Sequence, residues 1–400
     1  MVVKLTLKRL YTLTIVLSPL LMPYKSVISF MDMGTFLIII VATMNILALH
    51  NRLNISLPQI WIAYIIYMLI SMVISLMLSS QLVEASARMV RLCKNILFIY
   101  IFLISYKNNI FDFQYGMKIY KIAVIITSIY IYLQTFAAKV LNFLLWGYIP
   151  GLVWKTSYVK DILLTSPQSF RPSSLFYEPS HYFIFVFLAL IFCMFERKKC
   201  GLRNLFLSIF ISGGIVLSTS SMGILFVASI WCVWILWQLL NNRTENRTEL
   251  IFIIICFSLL ILTVIIIKTP WISNAIIRVF DKRYVGGNAI AGRGMGYYEI
   301  TQMPLLNLIL GYGYGNVGAN YYPSLVYNFL SMGLIGLVLT FHIFFYTYHK
   351  CTKKVIKFAF IIYVLLCFYG EIFMSLYLLF FMSFFMNQIT NKTHEESSKG

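Results

Sequence analysis

The stretch PQIWIAYIIYMLISMVISLMLS, residues 58–79, decides the fold class of this chain. It has no charged side chain and consists mostly of aliphatic and aromatic residues. The hydrocarbon core of a bilayer is about 30 Å thick, so an α-helix needs about 20 apolar residues to cross it. The stretch reaches that length and predicts a membrane-spanning helix.

The rest of the sequence repeats this pattern. Of its 400 residues, 60% are hydrophobic and 11% are charged, and the mean hydropathy is +0.84. A soluble domain of this length does not carry so much apolar surface. We therefore expect an all-α, polytopic integral membrane protein, a single membrane domain over residues 1–400 with about 12 transmembrane helices. The predicted spans are 9–29, 33–50, 58–79, 89–106, 117–137, 180–195, 204–219, 222–240, 250–267, 324–347 and two within 358–389, which Gly370-Glu371 divides.

The first apolar run follows Lys4, Lys8 and Arg9, an arrangement also found in signal peptides. No small-residue cleavage site follows, and Pro19 and Pro23 interrupt the run. We interpret it as a retained first helix.

The net charge of +19 raises the question of nucleic-acid binding. No basic segment is large enough to form a folded nucleic-acid-binding domain, so nucleic acid is not an expected partner. Basic residues at the ends of spanning helices follow the positive-inside rule instead. The segments 196–203 and 349–357 each contain four Lys or Arg, and with the basic N-terminus they predict the cytoplasmic face. The basic residues of 88–94 do not fit this orientation well, because it would place them at the outer boundary of the membrane.

This orientation places two long loops, 138–179 and 268–323, on the outer face. Loops of such length in a compact protein are functional or disordered, and neither has a disordered composition. The aromatic piece 141–154 is expected to lie on the membrane interface. The spacing of Ile and Val in 271–283 predicts a short amphipathic helix. Seven cysteines occur without a CxxC motif, so neither a disulfide framework nor a zinc site is expected.

The first loop ends in RPSSLFYEPSHY, residues 171–182, which concentrates costly polar groups before the span 180–195. Pro179 suits the first turn of that helix, and Glu178 would lie near the positive end of its dipole. In an ordinary loop these would be a helix-start glutamate and an arginine that reaches headgroups. The cost of charged groups at a membrane boundary favours a functional role for Arg171, Glu178 and His181.

The second loop supplies further cations. Residues 268–299 have a net charge of +3, with Arg278, Lys282, Arg283 and Arg293 among them. Arginine presents a fork of donors that matches phosphate oxygens, so we predict a site for an anionic headgroup, with ordinary anionic lipid as the alternative. The glycine-rich segments 286–296 and 311–315 are expected to supply flexible backbone and are not Walker motifs. The isolated Glu371 is interpreted as facing water in a short turn.

Several of these pieces, in this order, resemble the bacterial O-antigen and capsular-polysaccharide polymerase family, often called Wzy-type. They are the loop ending in RPSSLFYEPSHY, a basic turn, the predicted outer hairpin LSTSSMG (217–223), and a second loop with AGRGMGYYEI (291–300) and ILGYGYGN (309–316). One departure is Ser174, which stands where related chains often have glycine.

The resemblance implies an enzyme of the bacterial cytoplasmic membrane. Its substrates would be oligosaccharide repeat units on undecaprenyl pyrophosphate, and it would transfer the growing glycan to the non-reducing end of a new lipid-linked unit. Expected partners are this substrate, the bilayer, and flippase and chain-length regulator proteins. Arg171 and Arg293 match the family's functional arginines by motif, and Arg278 and Arg283 match by their loop.

The expected chemistry needs no nucleotide, because the pyrophosphate leaving group is already activated. Arginine can neutralise the charge that develops on it, and no carboxylate-rich metal cluster is visible, so we expect neither cofactor nor metal. Glu178 is the first candidate for general base and His181 the second. Tyr177 and Lys282 are further candidates for substrate binding.

Two alternatives remain at this point. An O-antigen ligase has a similar topology but typically carries a histidine in the second large loop, and residues 268–323 contain none. A lipid-linked oligosaccharide flippase or other transporter would suit the helices and cations, but we find no internal repeat, and the charge lies in the predicted outer loops.

Overall fold

The computed structural model describes residues 2–28, 30–49, 53–77, 83–155, 170–196, 201–241, 296–318, 322–373 and 375–387. These residues are mostly helical, and they form no β-strand. The chain divides into two compact units. We call residues 1–120 and 293–400 the terminal unit and residues 121–292 the central unit.

Most of the described helices coincide closely with the predicted spans, but the first lies at Val2–Leu21 and not at the predicted 9–29. In chain order they are α1 Val2–Leu21, α2 Met33–Leu49, α3 Gln59–Met77, α4 Ala85–Lys107, α5 Phe113–Lys139, α6 Pro179–Phe195, α7 Leu202–Leu217, α8 Ser221–Asn241, α9 Leu305–Leu310, α10 Ser324–Lys350, α11 Lys354–Cys367 and α12 Leu376–Met386. The break predicted at Gly370-Glu371 is confirmed, because α11 ends before it and α12 begins after it. The predicted helices 250–267 and 271–283 lie outside the described residues.

Five of these helices, α3, α4, α5, α8 and α10, are long and apolar enough to cross a membrane. Four others, α2, α6, α7 and α12, are also apolar but shorter. Many large apolar side chains on these helices are exposed to the surroundings of the chain, as on the lipid-facing side of a membrane protein. The described part of the chain therefore has the composition and architecture of a helical membrane protein.

The terminal unit is built around α12. Every residue of this helix is buried, and it packs against α1, α4, α10 and α11. Its phenylalanine rings meet other aromatic rings edge to face: Phe380 contacts Tyr120 with centroids 5.5 Å apart, and Phe384 contacts Phe111 at 5.2 Å. Edge-to-face pairs of this kind add to the energy of burial.

The segment GYGYGN, residues 311–316, links α9 to α10 and is tightly packed. Gly313 has φ +92°, and a Cβ there would lie 2.2 Å from the Cβ of Ser75 in α3. The next residue, Tyr314, donates its backbone N–H to the carbonyl of Ser71 in α3 (3.0 Å). The expectation of flexible backbone in 311–315 was wrong, because glycine here allows close approach between chain segments.

Side chains of α3 form hydrogen bonds with the backbone of α10 at the point where α10 is interrupted. Gly333 in α10 has φ +62°, outside the helical range. Just before it, the carbonyls of Ser331 and Met332 accept hydrogen bonds from Ser71 Oγ (3.0 Å) and from the hydroxyl of Tyr67 (3.1 Å). Side chains of α3 thus satisfy carbonyls that the interruption frees from the helical pattern.

In the central unit, α6 packs against α7 and α8, and almost all of its side chains are buried. The predicted hairpin LSTSSMG is confirmed as a tight turn, since α7 ends at Leu217 and α8 begins at Ser221. The aromatic segment 141–154 forms no helix and is held along α5. There the hydroxyl of Tyr130 donates to the carbonyl of Trp146 (2.7 Å).

Candidate functional site

The stretch 171–182 is fixed in the central unit by Ser174. This fully buried residue has φ +58°, in the left-handed region. Its backbone N–H donates to Gln134 Oε1 (2.7 Å), and its hydroxyl donates to the carbonyl of Thr127 (2.8 Å), both in α5. On the other side lies Gly147, where a Cβ would sit 1.8 Å from the Ser174 carbonyl oxygen. The stretch is therefore held between α5 and the segment 141–154.

Arg171 is held by the turn between α7 and α8. Its Nε donates to Thr219 Oγ1 (3.2 Å), and its Nη2 donates to the Thr219 carbonyl (3.0 Å). Thr219 has φ +54°, a conformation that directs its carbonyl and hydroxyl to the same guanidinium. Two motifs that the sequence presents separately, RPSSLFYEPSHY and LSTSSMG, are thus joined by one arginine. Both acceptors are neutral, so these bonds orient the guanidinium without cancelling its charge.

Glu178 is the residue at which α6 begins, with Pro179 in the first turn as predicted. Its exposed carboxylate makes no capping hydrogen bond to the helix backbone. Instead, Oε2 accepts a hydrogen bond from Ser180 Oγ (3.1 Å). The carboxylate is thus exposed and is not engaged by the helix backbone.

His181 and Tyr177 lie beside this carboxylate. The backbone N–H of His181 donates to the Glu178 carbonyl (3.0 Å), and the imidazole lies 6.5 Å, centroid to centroid, from the half-exposed Tyr177 ring. Tyr177, the N-cap Glu178 and His181 in the first turn of α6 therefore bring a phenol, a carboxylate and an imidazole to the start of this helix. These groups can accept and donate protons.

Arg171 and Glu178 do not form a direct ion pair. An ion pair of the central unit joins Lys121 to Glu196 instead (3.8 Å). The hydrogen bonds that fix Arg171 go to Thr219, so the Glu178 carboxylate is not neutralised by it. The four predicted cations of the second loop, Arg278, Lys282, Arg283 and Arg293, lie outside the described residues.

A second polar cluster lies in the terminal unit, on α4. Arg88, Arg91 and Lys94 are spaced three apart and fall on the packed face of the helix, whereas Met89 and Val90 are exposed. We call these three residues the α4 basic face. In the sequence these residues were noted only because they do not fit the predicted membrane orientation. Cations at helical spacing within an apolar run nevertheless indicate a functional role.

Arg88 is fully buried, at 0% exposure. Its Nη1 donates to the carbonyl (2.7 Å) and to the hydroxyl (2.6 Å) of Ser75 in α3. Its Nε and Nη2, which carry three of the five guanidinium N–H groups, have no hydrogen-bond partner in the described residues. Leaving a buried polar group unsatisfied costs about 1–3 kcal/mol, and more for a charged group. The arrangement is thus costly unless something else satisfies these donors.

The rest of the α4 basic face meets polar groups from α10 and from the turn before α12. Arg91 Nη1 donates to the hydroxyl of Tyr327 (2.8 Å). Glu371 lies in that turn, as predicted; the residue as a whole is exposed, but its carboxyl group is surrounded by neighbouring protein atoms. Desolvation raises the pKa of its carboxyl, and the positive charges of Arg91 and Lys94 oppose that shift. This carboxylate therefore lies near two of the three cations of the α4 basic face, Arg91 and Lys94.

The described residues contain no group of three or more His, Cys, Asp and Glu side chains able to hold a metal ion. Comparison of the chain with protein-family models, with curated proteins and with solved structures finds no match.

Proposed function

We propose that the chain is a polysaccharide polymerase that acts on lipid-linked oligosaccharides. It would lie in the bacterial cytoplasmic membrane with about 12 spans, and its long loops 138–179 and 268–323 would face outward. It would transfer the growing glycan from undecaprenyl pyrophosphate to a new lipid-linked repeat unit. The resemblance of its motifs to the Wzy-type family supports this proposal.

The observation that carries the proposal is the hydrogen bonding of Arg171 to Thr219. It brings together two of the motifs on which the resemblance rests, and the first of them also carries Glu178, a carboxylate that does not cap its own helix. A preformed donor costs no reorganisation when charge develops on a substrate, and this is the main source of electrostatic catalysis. The geometry suits a reaction that releases an anion and removes a proton.

The proposed reaction balances with these groups. Glu178 accepts the proton of the acceptor sugar hydroxyl, with His181 as the second candidate. The acceptor oxygen then bonds to the anomeric carbon of the growing glycan, and the bond from that carbon to the pyrophosphate oxygen breaks with its electron pair. Arg171 and Arg293 stabilise the released pyrophosphate. Tyr177, Arg278, Lys282 and Arg283 are the proposed substrate contacts.

Deletion of the gene tests the proposal, with gel analysis of the surface glycan as the readout. Loss of long chains, with single repeat units on the carrier at the outer face, would support a polymerase. Long chains left on the carrier, without surface display, would indicate a ligase. Single units protected from an impermeant glycosidase in spheroplasts would indicate a transporter.

Substitutions at Arg171 and Glu178 connect the activity to the site. Losing one charge-assisted donor in a catalytic site costs about 2.7–4 kcal/mol, or roughly 10²–10³ in rate. Arg171→Ala should therefore abolish long chains, and Arg171→Lys should shorten the ladder, because lysine keeps the charge without the planar fork. Glu178→Gln should abolish polymerisation, because the amide cannot accept the proton.

A matched control for Glu178→Gln exists on α4. Glu84 also precedes a helix, makes no capping bond, and accepts a bond from the serine two residues later, Ser86 (3.4 Å). Glu84→Gln should leave the ladder unchanged at equal membrane abundance. A normal ladder in Arg171→Ala and Glu178→Gln, at wild-type abundance, would refute the assignment of this site.

A further inference from the structure

The α4 basic face has the features of a binding site rather than of a lipid-facing or water-facing helix surface. Its cations point toward the protein interior, where charged groups are rare and are normally paired or functional. Arg88 is the extreme member, because its charge is fully buried and three of its N–H groups find no partner in the described residues.

The surroundings of Arg88 come from three chain segments. Ser75 of α3 binds one terminal nitrogen. Gly315 of the 311–316 turn abuts the aliphatic part of the side chain, since a Cβ there would lie 3.2 Å from Arg88 Cγ. Further along α4, Asn95 Nδ2 donates to the hydroxyl of Tyr314 in the same turn. The face is therefore rigidly built.

The charge on this face defines the ligand. Arg88, Arg91 and Lys94 supply three positive charges, and Glu371, whose carboxyl interacts with Arg91 and Lys94, supplies one negative charge. The difference, 3 − 1, leaves a net charge of +2. A planar guanidinium fork and a lysine ammonium are the donors that proteins use for phosphate oxygens.

We infer that the α4 basic face binds a dianionic phosphate group, either free in solution or carried as a monoester on a lipid headgroup. A phosphate dianion would neutralise the net charge and give acceptors to the N–H groups of Arg88. The residues of this face belong to the terminal unit, and none of them is assigned a part in the proposed polymerase reaction.

The rival explanation is structural. Arg88 would then be only a clamp that holds α4 to α3 through Ser75. A clamp of this kind would make the fold depend on Arg88, but it would give the protein no response to phosphate and no role to Lys94. Binding by the purified chain separates the two explanations.

The experiment uses the full chain in uncharged detergent above about pH 8, where phosphate is a dianion. In one arm, inorganic phosphate is titrated at constant ionic strength set with sodium chloride. In the other, the chain is placed in phosphatidylcholine nanodiscs with and without phosphatidic acid. The readouts are the melting temperature and calorimetric affinity.

A rise in melting temperature in the first arm indicates free phosphate, and a rise in the second arm alone indicates a headgroup. Either result supports the inference.

Three variants decide whether the effect belongs to this face. Arg91→Gln and Lys94→Gln should each weaken binding about tenfold to a hundredfold, the effect of losing one charge-assisted hydrogen bond. Lys107→Gln, at the exposed far end of the same helix, should bind as wild type does. No thermal response in either arm, or equal weakening by Lys107→Gln, would overturn the inference.

Arg88→Lys adds a test of geometry, because lysine keeps the charge without the fork. It should weaken binding as strongly as Lys94→Gln does. If this variant does not fold, the Arg91 and Lys94 variants still decide the question. Gel analysis of glycan plays no part in the readout, so this inference and the proposed function can fail separately.

Discussion

At the scale of single residues, Ser174 shows how the candidate site is fixed. A side chain with a Cβ pays about 1–2 kcal/mol for the left-handed conformation, and glycine does not. Ser174 offsets this cost with two hydrogen bonds to α5, one from its N–H and one from its hydroxyl. The same position is the one where the sequence departs from the glycine of the family it resembles.

At Ser174 the glycine variant should therefore be more stable than the alanine variant, which is the reverse of the usual order. Ser174→Ala and Ser174→Gly both lose the hydroxyl bond to Thr127, but only glycine relieves the left-handed strain. We expect Ser174→Gly to be about 1 kcal/mol more stable than Ser174→Ala. Thermal unfolding in detergent, followed by tryptophan fluorescence, measures the difference.

The adjacent serine provides the control. Ser173 also donates its hydroxyl to a backbone carbonyl, that of Phe176 (2.9 Å), but its φ is not positive. There the alanine variant should be the more stable one, since glycine has the larger conformational entropy to lose. The same order at both positions would contradict this account of Ser174.

The sequence indicated which residues carry charge near α6 but not what holds them. Arg171, Glu178 and Pro179 stand out by composition alone. The partner of Arg171 is Thr219, 48 residues later, and no local pattern identifies it. The α4 basic face was visible as three basic residues, but its inward direction depends on the packing of α4 against α3 and α12.

At the scale of elements, apolar length predicts most of the helices. The span predicted at 33–50 is observed as the helix Met33–Leu49, and the span predicted at 180–195 is observed as Pro179–Phe195. The reason is physical, because an apolar run bounded by polar or basic residues has few other stable structures in a membrane. The six-residue α9 was not predicted, since so short a run has no helical periodicity to detect. Backbone-to-backbone packing of the 311–316 turn also leaves no hydrophobic pattern.

Gly313 gives the sharpest test of that turn. Gly313→Ala would combine a left-handed Cβ with a clash against Ser75, so we expect a loss of about 2–5 kcal/mol from strain and overpacking together. Melting temperature and membrane abundance measure the effect.

Gly318, a few residues later, has open space where an added methyl group would lie, and its φ is not positive. Gly318→Ala should change stability by less than about 0.5 kcal/mol. A Gly313→Ala protein as stable as Gly318→Ala would mean that the turn is loosely packed.

At the scale of the whole molecule, orientation in the membrane depends on charge. The basic clusters at 196–203 and 349–357 predict the cytoplasmic face, and the loop 138–179 is then outside. Helix packing within each unit would be the same in either orientation, so the packing does not determine this property.

Cysteine labelling checks the orientation. Single cysteines at Val153, in the first loop, and at Thr352, in the basic turn after α10, would be introduced after replacement of the seven native cysteines. Both side chains are exposed. In intact spheroplasts an impermeant maleimide should label position 153 and spare position 352 until the membrane is permeabilised. The opposite pattern would invert the topology.

The enclosure of α12 also determines when the terminal unit can mature during synthesis. A ribosome makes Leu376–Met386 long after α1 and α4, yet both of these earlier helices pack directly on it. The early helices therefore leave the insertion machinery before α12, the helix on which they pack, has been made. Assembly of this half of the protein is a late event that follows membrane insertion, and nascent chains halted before residue 376 should remain open to proteases and chaperones.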